Sequence, residues 1–214
     1  MGIFENIAVP QSLEHLTLLN YLLGGTFLLL LPYLSILLGT TFYSVIFNKK
    51  AEKTGDQKYY RFAKELISII TFNKSVAVAL GVLPFLSAVF CYAQLLHTTS
   101  LNLSGHLTIA LILFIISLVL IYTYKNAFHL KDIFSEAENK FQDSDEEIRN
   151  ELIEYNRKAN RTYRKSGLYG LILLFLSSYI LIGAIRISLE AAKWETINNF
   201  FDLIFSFSTL VYFV

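Results

Sequence analysis

Long apolar runs alternate with polar segments along the chain, and the lengths of these runs predict its elements. About 20 apolar residues cross a hydrocarbon layer about 30 Å thick. Inside a bilayer each backbone N–H and C=O is paired within its own segment, so such runs are predicted to be helices, and the alternation of a membrane β-barrel is missing. We therefore predict an all-α fold, a single polytopic membrane helix bundle over residues 1–214, with five spans at 17–47, 75–97, 106–128, 167–189 and 198–214.

Two polar segments between these runs carry helical patterns of their own. In residues 58–70, KYYRFAKELISII, Tyr59 and Phe62 share one helical face with other apolar residues, which predicts an amphipathic helix in the membrane interface. The second segment begins at a capping box, Ser144 with Glu147, and is predicted to extend the fourth span inward. A docking surface for a partner subunit is the alternative for this second segment.

The basic residues are distributed unevenly and predict an orientation. Of the 18 Lys and Arg residues, all but Arg186 and Lys193 lie between the first and second spans or between the third and fourth. The positive-inside rule places those two segments in the cytoplasm and the N-terminus outside, which for this chain predicts a bacterial inner membrane. The net charge of +1 argues against a nucleic-acid partner, because phosphate binding needs an excess of basic residues.

Several kinds of chemistry are excluded by the residues present. With one cysteine, Cys91, the chain has no disulfide framework, no CxxC metal pair and no CxxCH site for a c-type haem. Any haem held by this chain is therefore expected to be non-covalent. Soluble enzyme chemistry lacks a nucleophile and base, a phosphate loop or a carboxylate pair at usable spacing. If the chain has an enzymatic role, it is that of an oxidoreductase subunit.

Three of the four histidines fall in one predicted layer at the outer face. His15 begins the first span, His97 ends the second and His106 begins the third. Neutral imidazoles from different helices are how helix bundles hold haem iron. His97, His106 and His15 are therefore candidate iron ligands of a haem b, with His106 best placed and His97 or His15 as its partner. Ordinary interfacial histidines, with one end of the ring in water, are the alternative.

Glycine and proline interrupt the first two spans. Glycine lets a neighbouring helix or a flat macrocycle approach, and proline kinks a helix, so these residues suit either a cofactor or ordinary packing. They are Gly24, Gly25, Pro32, Gly39, Gly81 and Pro84.

One segment carries a family resemblance. Residues 59–96, YYRFAKELISIITFNKSVAVALGVLPFLSAVFCYAQLL, resemble the region around the second helix of the haem-bearing subunit I of cytochrome bd quinol oxidases. The long first helix and basic inner loop match in order, so the resemblance covers roughly the first hundred residues. That family has an intramembrane histidine ligand in its first helix, whereas residues 16–47 contain no histidine, so no haem-site residue is carried over. The resemblance implies a membrane electron-transfer module.

Two functions are favoured, and a transporter is a third that the sequence favours least, because charged residues are lacking near the middle of the spans. One is a b-type cytochrome or quinone-reactive membrane subunit of a respiratory or photosynthetic complex, exchanging electrons with membrane or periplasmic redox subunits at the outer face. The other is a cofactor-free structural or anchor subunit. The last apolar run reaches Val214 without a polar flank, which predicts a longer protein or a short fifth helix held by partner subunits.

Overall fold

Helices make up all the regular structure that the computed structural model describes, over residues 12–96, 103–140 and 146–189. They are α1 (Leu13–Thr54), α2 (Gln57–Ile70), α3 (Lys74–Ala77), a π-helical turn (Val78–Val82), α4 (Leu83–Leu95), α5 (Leu103–Lys140) and α6 (Glu146–Leu189).

Four of these helical stretches are long and apolar enough to cross a membrane: Leu13–Thr54, Lys74–Leu95, Leu103–Ile133 and Lys165–Leu189. The predicted all-α class and an integral membrane protein are thereby supported for the described residues. The predicted fifth span, 198–214, lies outside them.

Helix α1 begins and ends at local signals that the apolar pattern alone does not show. The Ser12 hydroxyl accepts a hydrogen bond from the His15 N–H at 3.2 Å, which caps the first turn. Gly55 adopts a left-handed φ of +69° and its N–H bonds to the Ala51 carbonyl at 2.9 Å. The 42-residue helix is roughly 63 Å long, about twice the hydrocarbon thickness. It therefore extends well beyond the predicted 17–47 span at the basic end of the bundle.

Helix α2 folds back along the C-terminal part of α1. The Ser44 hydroxyl donates to the Ala63 carbonyl at 2.8 Å, and the rings of Phe47 and Phe62 meet edge to face at 4.8 Å. Because later residues of α1 meet earlier residues of α2, the two helices are antiparallel. The helix predicted at 58–70 is confirmed as Gln57–Ile70, and its Ala63 and Ile67 are buried. Phe62 is 45% and Ile69 71% exposed, and the placement of this helix in the lipid interface stays a prediction.

The helix Lys74–Leu95 is continuous but contains one π-helical turn. The Leu83 N–H bonds to the Val78 carbonyl, five residues back, at the end of this turn. Pro84 follows directly and has no N–H to donate, so the regular ladder is interrupted at this point. Pro84 was predicted to interrupt the regular helix of the second span, and the interruption is the π-helical turn just before it.

Helices α5 and α6 form the closest pair in the bundle and run antiparallel. The Ser117 hydroxyl donates to the Gly170 carbonyl at 2.8 Å, and the Ser177 hydroxyl donates to the Ala110 carbonyl at 2.7 Å. All four residues are buried and small, as expected where membrane helices approach closely. Helix α6 joins the predicted fourth span to the predicted inner helix without a break.

Polar contacts fasten α2 and its end to α5 at the basic end. Lys64 forms an ion pair with Asp132, and the Tyr60 hydroxyl donates to the same carboxylate at 3.0 Å. Burial and this carboxylate raise the pKa of Tyr60, which stays a protonated donor. The Lys125 ammonium donates to the Thr71 carbonyl at 2.7 Å, where it satisfies the end of α2 and suits the negative end of its dipole.

Candidate functional site

The structure describes three histidines, two of them in the first turn of a helix and the third inside α5. His15 is exposed in the first turn of α1, His106 is half-buried in the first turn of α5, and His129 is exposed towards the basic end. His97 lies outside the described residues. His15 and His106 both lie in the first turns of helices, α1 and α5.

Side-chain contacts give the register between α1 and α5. The Tyr124 hydroxyl donates to the Ser44 carbonyl at 3.4 Å, and Tyr33 and Phe114 both lie against Gly81. Both sets of contacts pair a residue of α1 with one about 80 positions later in α5, over roughly three helical turns. The two helices are therefore parallel and in step.

This register separates two of the candidate ligands. His106 is level with the region of Thr26, and His15 lies about three turns further along α1, roughly 15 Å away along the axis. Within the described residues, no group of three or more His, Cys, Asp or Glu side chains is placed to hold a metal ion. Among the described histidines, His106 is thus the one at the level of Thr26, and His15 is too far along the axis to pair with it. Ligation by His106 with His97 stays a prediction.

A groove of about 430 Å³ lies between α1, the end of α2 and the first turns of the helix that follows. This volume falls in the range of small-molecule sites. Its walls are apolar side chains that face outward, with Leu28 76%, Ile69 71% and Phe72 85% exposed. In a membrane such surfaces are in contact with lipid. The groove is therefore open sideways to the bilayer and suits a ligand that dissolves in it.

Tyr33 and Asn73 are the polar residues of this lining, and Tyr33 is the buried one. It lines the groove but is only 5% exposed, and its hydroxyl has no hydrogen-bond partner among the described residues. Its ring lies on Gly81 in the π-helical turn, where a Cβ would be 2.8 Å from the Tyr33 Cε1 and 3.0 Å from the Phe114 Cζ. Gly81 thus leaves the space that the rings of Tyr33 and Phe114 occupy. At this position the glycine therefore allows helix packing, the second of the two roles that the glycine pattern suited.

The inner end of the groove is closed by the break between α2 and α3. The Asn73 side chain accepts from the Ser75 N–H at 2.9 Å and caps α3. The Tyr122 hydroxyl of α5 donates to the Asn73 carbonyl at 3.1 Å. With the Lys125 bond to Thr71, two side chains of α5 hold this three-residue break, so the groove has a fixed end.

A second cavity, of about 360 Å³, lies where α1 turns into α2, and it is polar. Asp56 and Asp132 both line it. Asp56 accepts from the Lys58 N–H at 2.9 Å and caps α2, while Asp132 binds Lys64 and Tyr60. Both carboxylates therefore have structural roles in joining α1, α2 and α5.

Sequence reasoning identified Gly81 but missed Tyr33. A tyrosine within an otherwise aliphatic run was the one available signal, because a phenol placed in hydrocarbon needs a partner for its hydroxyl. The meeting of Tyr33 with the end of α2 depends on the fold of the α1 and α2 hairpin, which the apolar pattern does not encode.

No protein-family model, curated protein or solved structure was found to match this chain. The resemblance of residues 59–96 to cytochrome bd subunit I stays a prediction from the sequence. A functional assignment therefore depends on the groove and on the residues at the helix ends.

Proposed function

We propose that this chain is a quinone-reactive membrane subunit of a respiratory or photosynthetic electron-transfer complex. The observation that carries the proposal is the groove, which is apolar, open to lipid and has only two polar residues, Tyr33 and Asn73, in its described lining. A quinone combines a flat ring bearing carbonyl oxygens with a long hydrocarbon tail, and the tail keeps it in the bilayer. An apolar pocket with few polar groups is the usual form of a site for such a molecule.

In this function the chain holds the quinone ring and a partner supplies or removes electrons. Reduction of a quinone to a quinol takes up two electrons and two protons. We propose that the electrons pass to or from a membrane or periplasmic redox subunit at the outer face. His106 lies level with Thr26, two residues before Leu28 of the groove lining, and a haem b held by His106 with His97 would carry those electrons.

The proposed orientation places the N-terminus outside, in a bacterial inner membrane. The basic end of the bundle, where α1 turns into α2, is then cytoplasmic. A cysteine at Lys53, in a chain with Cys91→Ser, is expected to react with a membrane-impermeant maleimide in inside-out vesicles and to be protected in intact cells. Labelling in intact cells would reverse the orientation.

The quinone function is tested by filling the groove. Ile36 lines it and is 54% exposed, whereas Ile46 is a matched α1 residue outside its lining and 43% exposed. Ile36→Trp is expected to abolish quinol-dependent electron transfer in the native complex and to remove quinone from the purified protein, and Ile46→Trp should do neither. Full activity and quinone retention in the Ile36→Trp complex would contradict the proposal. A reduced-minus-oxidised haem b spectrum, lost in His106→Ala, would add the haem.

The second candidate is a cofactor-free structural or anchor subunit. It is favoured by α6, which continues for 146–164 on the basic side of its apolar span, roughly 28 Å of helix. Such an extension offers a surface to partner subunits. A colourless, quinone-free protein whose partners dissociate when 146–164 is replaced would favour this function.

A further inference from the structure

We infer that an aromatic patch on the α1 and α2 hairpin binds the headgroups of anionic phospholipids, and that the Lys50 ammonium bonds to a lipid phosphate there. The patch consists of five side chains, Phe42, Tyr43, Phe47, Tyr59 and Phe62. The inference is independent of the quinone function, because none of these five is among the described residues that line the groove. It is carried by the contacts of the rings, by their depth and by the charge around them.

The first argument is that the rings are held in place and are still exposed. The Phe47 ring meets Phe62 edge to face at 4.8 Å and stacks on Tyr59 at 5.9 Å, and Tyr43 lies 6.5 Å from it on the other side along α1. Despite these contacts, Phe42 is 44%, Tyr43 54% and Phe62 45% exposed. The hairpin therefore presents a fixed aromatic surface to whatever lies beside it.

The second argument is the depth of the patch. The Tyr122 hydroxyl donates to the Asn73 carbonyl, just before the apolar helix Lys74–Leu95 begins. Because α1 and α5 are in step, with the Tyr124 hydroxyl on the carbonyl 80 residues earlier, this start is level with Phe42. A headgroup layer is about 5–7 Å thick, and α1 rises roughly 7.5 Å from Phe42 to Phe47. The patch therefore lies at the level of the headgroups, where aromatic side chains of membrane proteins are enriched.

The third argument is the charge of the hairpin. Residues 47–64 contain six basic side chains and two acidic ones. The acidic pair, Glu52 and Asp56, lines the polar cavity. Five of the basic side chains are exposed, namely Lys49, Lys50, Lys53, Lys58 and Arg61. This excess of positive charge is complementary to anionic headgroups, which attract basic segments next to a membrane span.

Lys50 connects this charge to the rings. Its ammonium lies 4.2 Å from the centroid of the Tyr59 ring, which stacks on Phe47. Side chains on a helix point towards its N-terminus, so Lys50 is directed back towards the bilayer. A cation–π contact uses the face of the ring and leaves N–H donors of the ammonium for a phosphate oxygen. Lys50 is therefore the cation placed to bind a lipid phosphate beside the patch.

The test compares two lysines that each lie over a tyrosine ring. The Lys131 ammonium of α5 is 4.6 Å from the centroid of the Tyr60 ring, but Lys131 lines the polar cavity. Native mass spectrometry of the full chain, released from micelles that contain phosphatidylglycerol, measures the binding of this anionic lipid. Lys50→Gln is expected to weaken that binding about fivefold, the effect of one basic residue near the headgroups. Lys131→Gln is the matched control and should leave it unchanged.

Two further measurements identify the headgroup and the depth. Phosphatidylcholine, whose headgroup has no net charge, should bind more weakly than phosphatidylglycerol to the wild type and equally to both variants. In a chain with Trp194→Phe, a tryptophan introduced by Phe62→Trp should be quenched in vesicles by phospholipids brominated close to the headgroup. Phospholipids brominated close to the end of the acyl chain should quench it less, because the patch lies at the surface of the bilayer.

Three outcomes would overturn the inference. Equal phosphatidylglycerol binding by the wild type and Lys50→Gln would remove Lys50 as the phosphate ligand. Equal wild-type affinity for phosphatidylglycerol and phosphatidylcholine would remove the selection of anionic lipid. A tryptophan at position 62 that neither brominated lipid quenches would place the patch away from the bilayer and point to a protein partner on this surface.

Discussion

Gly167 of α6 is the position where one added methyl group should most directly separate two membrane helices. A Cβ at Gly167 would lie 2.6 Å from Cδ2 and 2.8 Å from Cε2 of Tyr124 on α5. These distances are about 1 Å shorter than a favourable carbon contact. Tyr124 is only 2% exposed and its hydroxyl bonds to Ser44, so the ring has little room to move.

The expected effect of Gly167→Ala is the difference between two terms. Forcing an extra methyl group into a well-packed contact destabilises by about 1–3 kcal/mol. The better helix propensity of alanine returns up to about 1 kcal/mol. We therefore expect the free energy of unfolding to fall by about 1–2 kcal/mol. Gly25→Ala is the matched control, because no atom lies within 4 Å of its Cβ position, and its stability should be unchanged or slightly raised.

Unfolding of the purified chain by SDS in mixed micelles, followed by circular dichroism, measures both variants. Gly167→Ala in a Tyr124→Leu background should be much less destabilising than in the wild type, because the clashing ring is gone and the two positions are coupled. If Gly167→Ala and Gly25→Ala unfold alike, α5 and α6 do not approach as closely as described, and the reasoning is refuted.

Three further predictions concern contacts that hold the bundle together. Lys64→Met and Asp132→Asn should each lower the free energy of unfolding by less than about 1 kcal/mol, because the two side chains are 43% and 35% exposed. A double-mutant cycle should show a coupling energy that decreases as salt is added, and a coupling unaffected by salt would contradict this. Ser117→Ala should lower the free energy of SDS unfolding by about 0.5–1.5 kcal/mol through loss of its bond to Gly170, and no loss would argue against that bond. Gly55→Ala should lower the free energy of unfolding by about 1 kcal/mol, and the melting temperature with it, because Gly55 has a φ of +69°. A Gly55→Asn variant no more stable than Gly55→Ala would count against backbone strain as the cause.

The apolar pattern predicted the membrane spans well because their length depends on the bilayer more than on tertiary contacts. The second span, predicted at 75–97, is the helix Lys74–Leu95, and the fourth, predicted at 167–189, lies within the described helix Lys165–Leu189. The ends of α1 were less predictable, since Ser12 and Gly55 set them through local hydrogen bonds and backbone conformation.

The candidate site was only partly predictable for a different reason. Sequence position predicted His15 and His106 in one layer, because both lie near the start of an apolar run. The offset of about three turns between them depends on how α1 is set against α5, for which the chain carries no periodic signal. Likewise, the sequence does not show that Tyr33 lies against Gly81 and beside the end of α2, because both depend on how the helices pack.

The continuous helices α5 and α6 also have a mechanical consequence. Neither contains a proline among its residues, and α6 extends roughly 28 Å past its apolar span, so a change in tilt within the membrane is transmitted without a hinge. A tilt of about 10° would move the far end of that extension sideways by roughly 5 Å. We therefore expect α6 to act as a rigid lever, in which a change of tilt of the apolar span is converted into a sideways displacement at the basic end of the bundle.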